Sequence, residues 1–215
     1  MNIIETRAIK DNKQENNTIK NVPLFSIEKT KYSLENLDFK NIIFQSSAAV
    51  ECFKELNILK DKRVFAMGGG TKETLAKKGI SCFYPESGGS EELLKIIKEN
   101  LISKEALIVK GKGGLSVLKT ELTKLGLKPF EITNYERRKF ESYKNLLSNF
   151  NEVDAIIFSS KLSAEIYFEE IHSGDKIKFF GISKRINNYV KSLGHCIKFI
   201  DYFSPGLEER VKKLI

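Results

Sequence analysis

Short apolar runs that end in polar or glycine-rich turns recur along this chain. After each turn comes a segment whose apolar residues have the spacing of a helix. The clearest stretch covers residues 42–80, where apolar runs at 42–44 and 64–67 predict two buried parallel strands. The turn Gln45-Ser46-Ser47 follows the first strand and Gly68-Gly69-Gly70-Thr71 follows the second. Helices are predicted after both turns from the positions of Val50, Phe53, Leu56 and Leu75, with Gly79 as the end of the second helix.

The same pattern returns in the second half of the chain. Ile42 corresponds to Ile156 and Gly68 to Gly181, which are offsets of 114 and 113 residues. Strands are predicted at 156–158 and 178–180, each followed by a polar turn and a helix. This internal repeat predicts two similar α/β lobes, with polar turns at the carboxyl ends of parallel strands, where open sheets bind their ligands.

The remaining elements complete the two lobes. Further strands are predicted at 2–5, 22–27, 82–84, 106–109 and 129–133, and further helices at 90–101, 117–125 and 141–150. Residues 29–38 are interpreted as an entry helix or connector, and residues 134–138 as a second connector. The polar segment 10–20 has too few apolar residues to predict a packed helix.

The order of these elements predicts a discontinuous lobe. The lobe that begins near Ile42 is complete by Thr133, so the second copy of the repeat must join the first strands of the chain. We therefore expect one α/β lobe from residues 1–27 and 137–215, and an inserted α/β lobe from residues 28–136. Two chain crossings would join them and would allow a cleft that opens and closes.

The charge balance favours an anionic partner. There are 36 Lys and Arg residues against 28 Asp and Glu, which gives a net charge of +8. The lysines are spread along the chain, and no finger, aromatic RNA-binding strand or basic heptad region is present, so nucleic acid is not the expected partner. A polyanionic small molecule fits this charge.

The sequence also predicts the setting of the protein. No apolar run approaches the ~20 residues that a membrane span needs, and the N-terminus lacks the pattern of a signal peptide. Cys52, Cys82 and Cys196 are scattered and form no CxxC, so neither disulfides nor zinc are expected. We expect a cytoplasmic protein.

Two glycine-rich turns could bind an anion through backbone N–H groups. The first is the turn from Gly68 to Thr71, and the second runs from Lys110 to Gly114, where Lys110 and Lys112 add positive charge. Neither matches the dinucleotide fingerprint or the phosphate-binding P-loop. A tight strand-to-helix turn without a ligand is the alternative, and the two lysines favour anion binding at the second turn.

Hydroxyl groups form the other candidates. The pairs Ser46-Ser47 and Ser159-Ser160 are placed to cap helices, and their hydroxyls could also face a cleft. Neither pair lies in a nucleophile elbow, and two histidines in helix-end contexts do not indicate a Ser–His hydrolase. Tyr135 is the aromatic hydroxyl placed to reach a cleft, although a packed hinge aromatic is the alternative.

The order of several segments resembles the uroporphyrinogen-III synthase family. These segments are IIFQSSAAVECF, VFAMGGGTKETLAKKGI, YPESGGSEELLKII, ALIVKGKGG, ITNYERR and AIIFSSKLSAEIYFEEI. The similarity covers nearly the whole chain, including Thr6-Arg7 after the first strand, and it lies in the order of the motifs because none is diagnostic alone. The resemblance implies an α/β fold of two similar lobes, each a parallel sheet flanked by helices, joined by a two-stranded connector with the active cleft between them.

The resemblance also implies the reaction. The substrate of the family is hydroxymethylbilane, a linear tetrapyrrole that carries acetate and propionate groups. Loss of the ring A hydroxyl leaves an electrophilic azafulvene, which ring D attacks through its substituted carbon to give a spiro intermediate and then the type III macrocycle. Neither a metal nor an organic cofactor is implied. We expect a monomer that makes a transient contact with hydroxymethylbilane synthase, and no nucleic-acid or membrane partner.

The resemblance gives Tyr135 the role of the weak acid that assists departure of the hydroxyl. The residues expected to bind substrate lie in the turns that follow the strands. They are Thr6, Arg7, Ser46, Ser47, Gly68, Gly70, Thr71, Gly89, Ser90, Lys110, Gly111, Gly113, Ser159, Ser160, Gly181, Ser183 and Lys184.

Three positions depart from the family pattern, which has Pro at Ala8, Arg at Leu115 and Thr at Lys184. Lys184 would offer a direct charge contact to a carboxylate in place of a hydrogen bond. Two alternatives from other classes remain at this point: a non-catalytic two-lobe protein that binds an anionic metabolite, and a basic nucleic-acid binder whose association would depend strongly on salt.

Overall fold

The computed structural model describes residues 1–8, 18–34, 38–86, 90–114, 116–172 and 176–215. The chain divides into two compact units. We call Met1–Ser26 with Arg138–Ile215 the discontinuous unit, and Ile27–Arg137 the inserted unit. Each unit contains a five-stranded sheet.

Strands and helices alternate through most of the described residues. The strands, in chain order, are β1 (Ile3–Glu5), β2 (Ile19–Asn21), β3 (Phe25–Lys29), β4 (Asn41–Phe44), β5 (Arg63–Ala66), β6 (Glu105–Gly111), β7 (Lys128–Lys139), β8 (Ala155–Phe158), β9 (Lys178–Gly181) and β10 (Ile197–Phe199). The α-helices are α1 (Ser47–Glu51), α2 (Gly69–Lys77), α3 (Ser90–Asn100), α4 (Val117–Lys124), α5 (Lys161–Glu170), α6 (Lys184–Ser192) and α7 (Leu207–Lys212). Two 3₁₀ helices cover Leu56–Asp61 and Lys144–Phe150.

The sheet of the discontinuous unit has the strand order β10-β9-β8-β1-β2, and all of its neighbouring strands are parallel. In the register of its centre, Ile3 lies beside both Ala155 and Ile19. All residues of β1 and β8 are buried, as expected for parallel strands that are covered on both faces. Val211 of α7 packs into the core of this unit with Phe180.

The sheet of the inserted unit has the order β3-β7-β6-β4-β5, in which β7, β6, β4 and β5 are parallel. Strand β3 lies at the edge beside β7, and just beyond its end Thr30 N donates to Asn134 O at 3.0 Å. Apolar residues of α3 and α4 pack on the central strands. This core contains Ile43, Phe65, Leu93, Ile97, Ala106, Ile108, Leu118, Leu122 and Leu127.

The two predicted strand–turn–helix repeats are confirmed in β4, β5 and α2, and again in β8, α5, β9 and α6. Gly79 and Gly194 follow helices α2 and α6 with φ of +72° and +86°. Glycine adopts this left-handed conformation without a steric cost, so both residues end their helices as predicted. The helices predicted near 90–101 and 117–125 are also present as α3 and α4.

The single strand predicted at 22–27 is wrong. Strand β2 already pairs with β1 at Ile19, and Val22 N donates to Glu5 O at 2.9 Å. Pro23 follows, and since proline has no N–H it interrupts the ladder before β3 begins at Phe25. Only the end of the predicted polar segment 10–20 lies within the described residues, and its last two residues belong to β2.

The helix predicted through Leu56 is also wrong, because α1 ends at Glu51 and Leu56 begins a 3₁₀ helix. The N–H of Lys54 donates to the hydroxyl of Tyr32 at 2.8 Å, so it is not used in a helical bond. Phe53 packs edge-on against the ring of Phe44, which fixes the chain after the short helix.

Other corrections concern the chain outside the repeated units. Residues 82–84 form only an isolated bridge between Phe83 and Phe65, and residues 144–150 form a 3₁₀ helix rather than an α-helix. Its first bond runs from Leu146 N to Tyr143 O, a three-residue step. The connector predicted at 134–138 is part of the continuous strand β7, and β10 and α7 were not predicted. The connector at 29–38 is non-helical in its described residues.

Candidate active site

Three side chains of the inserted unit meet at the hydroxyl of Tyr135. The Tyr135 Oη lies 2.8 Å from Ser46 Oγ, and Arg137 Nη2 donates to it at 3.0 Å. The guanidinium of Arg137 also lies 5.4 Å from the centre of the Tyr135 ring. Tyr135 is 1% exposed, whereas Arg137 is exposed. A buried phenol is therefore held by one neutral and one cationic partner.

Strand β7 brings Tyr135 into this position through an irregularity in its pairing with β6. Lys110 pairs with Thr133, but Gly111 pairs with Tyr135, so Asn134 is an extra residue on β7. Both Asn134 and Tyr135 are buried, and Asn134 Nδ2 donates to Ala49 O of α1 at 2.7 Å. The bulge thus lets Asn134 bind α1 through a hydrogen bond, and it places Tyr135 beside Ser46 at the start of that helix.

Gly111 leaves the space that the Tyr135 ring occupies. A side chain at Gly111 would place its Cβ 2.7 Å from Tyr135 Cε2 and 2.8 Å from its Oη, which is closer than real Cβ contacts come. Lys112 N donates to Tyr135 O at 2.8 Å, so the backbones are also joined here. Gly111, which the sequence predicts as an anion-binding glycine, therefore has a packing role against Tyr135.

Ser46 is fixed by the start of α1. It is the N-cap residue of that helix, and its Oγ accepts the N–H of Ala49 at 3.1 Å. Ser47 is the first residue of the helix. The sequence predicted a capping role for this pair, and Ser46 performs it while also contacting Tyr135.

The glycine-rich turn after β5 is the first turn of α2. Gly68 is its N-cap, and Gly68 O accepts the N–H groups of Thr71 and Lys72 at 3.1 Å each. Gly70 O accepts the Thr74 hydroxyl at 2.8 Å, and the Thr71 side chain is buried. The N-terminus of this helix is thus built from backbone alone, without a side-chain cap.

The lysines of the second glycine-rich turn are paired with acidic residues of β7. Lys110 Nζ lies 2.7 Å from Glu131, which also contacts Lys119 at 3.5 Å. Lys112 Nζ lies 3.1 Å from Glu136. Gly113 has φ of +70°, which turns the chain after Lys112. The positive charge that the sequence suggests at this turn is therefore balanced by carboxylates.

In the discontinuous unit, Thr6 and Ser159 join the ends of β1 and β8. Ser159 Oγ donates to Thr6 O at 2.9 Å, and Thr6 N donates to Ile157 O at 3.1 Å. Ser160 caps α5 in a reciprocal arrangement with Ser163. These hydroxyls organise the strand ends of their own unit.

Gly181 and Ser183 connect β9 to α6. Ser183 is the N-cap residue of α6 and its Oγ accepts the N–H of Ile186 at 3.4 Å. A side chain at Gly181 would meet the Oδ1 of Asn187 and the Cγ2 of Ile186, so the buried Asn187 side chain would have to move to admit it. Lys184, the first residue of α6, is exposed.

Arg7 lies beside a buried acid in the discontinuous unit. Its Nη1 donates to Tyr202 Oη at 3.2 Å, and its guanidinium lies 5.2 Å from the Tyr202 ring centre. The Tyr202 hydroxyl in turn donates to the carboxylate of Glu5, which is 1% exposed. Burial, followed by the charge of Glu5, raises the pKa of Tyr202 well above its usual range, so its proton stays in this contact.

Two residues named from the sequence, Gly89 and Leu115, lie outside the described residues, while Ser90 is the first residue of α3. Among the residues that the structure describes, no three His, Cys, Asp or Glu side chains are grouped so that they could hold a metal ion. No helix within those residues is long and apolar enough to cross a membrane.

Comparison with known proteins decides the family. The family model described as Uroporphyrinogen-III synthase HemD matches residues 5–201. The chain belongs to the uroporphyrinogen-III synthase family. A comparison with curated protein sequences finds no match.

Solved structures with this family name have the same fold. The crystal structure of uroporphyrinogen-III synthetase from Helicobacter pylori matches with a TM-score of 0.70 at 17% identity, and the match covers 99% of each chain. A mutant uroporphyrinogen III synthase from Thermus thermophilus matches with a TM-score of 0.59 at 13% identity, over 99% of this chain and 96% of that one. The predicted α/β fold with two parallel sheets flanked by helices is confirmed.

Arg137 is the neighbour of Tyr135 that the sequence interpretation missed. It lies two residues from Tyr135, and residues two apart in a strand share a face. The sequence predicts a connector around both residues, and a connector gives no reason to expect side chains two positions apart to meet. Interpreting ITNYERR as a strand would have placed Arg137 beside the candidate acid of this uroporphyrinogen-III synthase family member.

Proposed function

We propose that this protein is a uroporphyrinogen-III synthase, a lyase that converts hydroxymethylbilane into uroporphyrinogen III with inversion of ring D and loss of water. The observation that carries the proposal is the family match over residues 5–201. The buried Tyr135 hydroxyl, held by Ser46 and Arg137, supports it because the reaction needs one weak acid.

In the proposed mechanism the protein mainly positions the substrate. Hydroxymethylbilane closes without an enzyme to the type I isomer, so the synthase must fold the linear chain until the substituted carbon of ring D attacks ring A. Tyr135 donates its proton to the departing ring A hydroxyl, which leaves as water. Because the azafulvene forms easily, removal of this acid slows turnover without abolishing it.

We further propose that the strand-end turns bind the acetate and propionate groups. The exposed Lys184 at the start of α6 offers an ammonium, and the backbone at Gly68 and Gly70 offers N–H groups at the start of α2. Lys110 is paired with Glu131, so we assign its turn a backbone role rather than a charge role. The net charge of +8 favours association with such a polyanion.

The remaining expectations from the sequence belong to the same proposal. We propose a cytoplasmic monomer that receives its substrate during a transient contact with hydroxymethylbilane synthase. Sedimentation of the protein alone and with that enzyme tests both points. A stable dimer of the protein alone would contradict the first point. A mixture of the two enzymes that sediments as the two separate proteins at every concentration would contradict the second.

The direct test is a coupled assay in which hydroxymethylbilane is generated in place and the products are oxidised and separated into type I and type III uroporphyrins. Type III formed in proportion to added protein is expected. Tyr135→Phe should lower kcat by about 10- to 100-fold, at or below the low end of general acid catalysis. The matched control is Tyr189→Phe on α6, which should keep full activity. Type I alone, at the spontaneous rate, would favour the non-catalytic binding protein.

A further inference from the structure

The hydroxyl of Tyr135 has two partners whose roles as donor or acceptor can be worked out. A guanidinium has no acceptor, so the 3.0 Å bond from Arg137 Nη2 must run toward Tyr135 Oη. A phenol oxygen accepts up to two hydrogen bonds and donates one. Arg137 therefore occupies one accepting position and leaves the phenol proton unused.

Ser46 decides where that proton points. Its Oγ already accepts the N–H of Ala49, and at 2.8 Å either hydroxyl can be the donor in the bond with Tyr135. When Ser46 donates, both accepting positions of Tyr135 Oη are filled. The phenol proton is then directed away from both neighbours and toward a third partner.

Resting on the function proposed above, we propose that Arg137 and Ser46 are positioning residues that stabilise the phenolate of Tyr135 after it has given up its proton. The C–O bond to the ring A hydroxyl breaks with its electron pair on the oxygen, and this oxygen takes the Tyr135 proton and leaves as water. Two donors, one of them cationic, then face the phenolate oxygen. The substrate loses one proton when the macrocycle closes, and this proton restores the phenol.

The surroundings of Arg137 support a role that acts through Tyr135. Its guanidinium donates to the hydroxyl and also lies 5.4 Å from the centre of the same ring, so both contacts are to one residue. The side chain is exposed, and holding a long exposed side chain in one place costs conformational entropy. Cation–ring attraction offsets part of that cost and keeps the guanidinium beside the phenol oxygen.

A double-mutant cycle in the coupled assay tests this inference. Arg137→Ala should lower kcat about tenfold, the effect expected for loss of a hydrogen bond to a charged group. KM should stay within about twofold, because the contact acts in the chemical step. Arg137→Lys should recover part of the loss, since it restores a cationic donor. In the Tyr135→Phe background, Arg137→Ala should have no further effect on kcat.

Arg138→Ala is the matched control, because it removes the same side chain from the next position of β7 and should leave kcat unchanged. Arg137→Gln keeps a neutral donor and replaces the alanine variant if that variant does not fold. Ser46→Ala should lower kcat only when Tyr135 is present. Ser46→Thr keeps a capping side chain and a hydroxyl donor and should recover part of the activity that Ser46→Ala loses.

The outcomes separate this inference from the function on which it rests. No type III product from the unaltered protein would overturn the proposed function. Type III product with unchanged kcat in Arg137→Ala, or with unchanged kcat in Tyr135→Phe, would overturn the inference alone. If Arg137→Ala raised KM equally with and without the Tyr135 hydroxyl, Arg137 would bind a substrate carboxylate directly, and the positioning role would be wrong.

Discussion

Tyr135 lies in the space that a side chain at Gly111 would fill. The Cβ of such a side chain would come within 2.8 Å of the hydroxyl oxygen that Ser46 and Arg137 hold. The two residues also pair across strands β6 and β7 at the point where the register shifts. The position of the candidate acid therefore depends on a residue without a side chain in the neighbouring strand.

We expect Gly111→Ala to displace the Tyr135 ring. The new methyl group would meet ring atoms, and interiors that are already filled respond to added atoms with strain of about 1–3 kcal/mol. Because the hydroxyl moves away from its two partners, kcat for type III product should fall about tenfold or more. Denaturant unfolding measures the first effect, and the coupled assay measures the second.

The control for this prediction is Gly126→Ala. Gly126 follows α4 with φ of +76°, and a side chain there would meet nothing within 4 Å. The Gly126→Ala variant should lose about 1–2 kcal/mol of unfolding free energy, because alanine is strained in the left-handed backbone conformation. Its kcat should be unchanged. Equal kcat in the Gly111→Ala variant and the unaltered protein would show that the ring tolerates the methyl group.

The sequence predicted the strand–turn–helix units because each depends on nearby residues. Apolar runs mark β4 and β8, serines cap α1 and α5, and glycines follow α2 and α6, so each signal lies within or directly beside the element that it marks. The 3₁₀ helix that follows α1 was missed because it depends on a tertiary contact, that of Lys54 with Tyr32. The break at Pro23 has a local cause, the missing proline N–H, which the prediction of one strand over 22–27 did not take into account.

The candidate site was less accessible to sequence reasoning because its contacts join separate strands. Gly111 was interpreted as an anion-binding glycine, since nothing local shows that the Tyr135 ring lies over it. Lys110 was interpreted as a cation for substrate, since its pairing with Glu131 depends on the register of β6 and β7. The pairing stays in one register up to Lys110 with Thr133, and the bulge at Asn134 shifts it only beyond that point, where it brings Tyr135 opposite Gly111. No residue pattern marks this bulge.

The three cysteines should react with an alkylating reagent in a fixed order. Burial raises the pKa of Cys82 to about 11, although the charge of Lys72 lowers it in part, and burial also raises the pKa of Cys52. Cys196 is exposed. Because the thiolate is the reactive form, Cys196 should be alkylated first at mildly alkaline pH, with Cys82 and Cys52 much slower. Mass spectrometry of peptides over time measures the order.

Denaturant supplies the control for this order. In the unfolded chain all three thiols lose their surroundings, so their alkylation rates should become similar. Alkylation of Cys82 in the folded protein as fast as that of Cys196 would contradict the burial that the structure gives it.

Two buried tyrosines should respond in opposite directions to loss of their hydroxyls. Tyr167 Oη is buried without a hydrogen-bond partner among the described residues. Tyr143 Oη donates to Leu24 O at 3.0 Å and accepts Phe140 N at 3.2 Å. Tyr167→Phe should therefore raise the unfolding free energy by about 1 kcal/mol, and Tyr143→Phe should lower it by about 1–2 kcal/mol. Urea unfolding of both variants measures the difference. A loss of stability in both would show that the Tyr167 hydroxyl does have a hydrogen-bond partner in the folded protein.

The advantage of Tyr167→Phe should grow in alkaline solution. Burial raises the pKa of Tyr167 well above its usual range, so the folded protein keeps this proton while the unfolded chain releases it above about pH 10. The unfolded state then binds fewer protons than the folded state, and the unfolding free energy falls as the pH rises. For this one group the fall is about 1.4 kcal/mol per pH unit, and it continues until the pH reaches the folded pKa.

The phenylalanine variant has no proton at this position to release, so its stability should fall less steeply above pH ~10. Other tyrosines with raised pKa values, such as Tyr202, are present in both proteins and cancel in the comparison. Urea unfolding at several pH values on either side of pH ~10 measures the two slopes. Parallel slopes would mean that Tyr167 ionises in the folded protein as readily as in the unfolded chain, which its burial in the aromatic cluster with Phe150 and Phe158 does not allow.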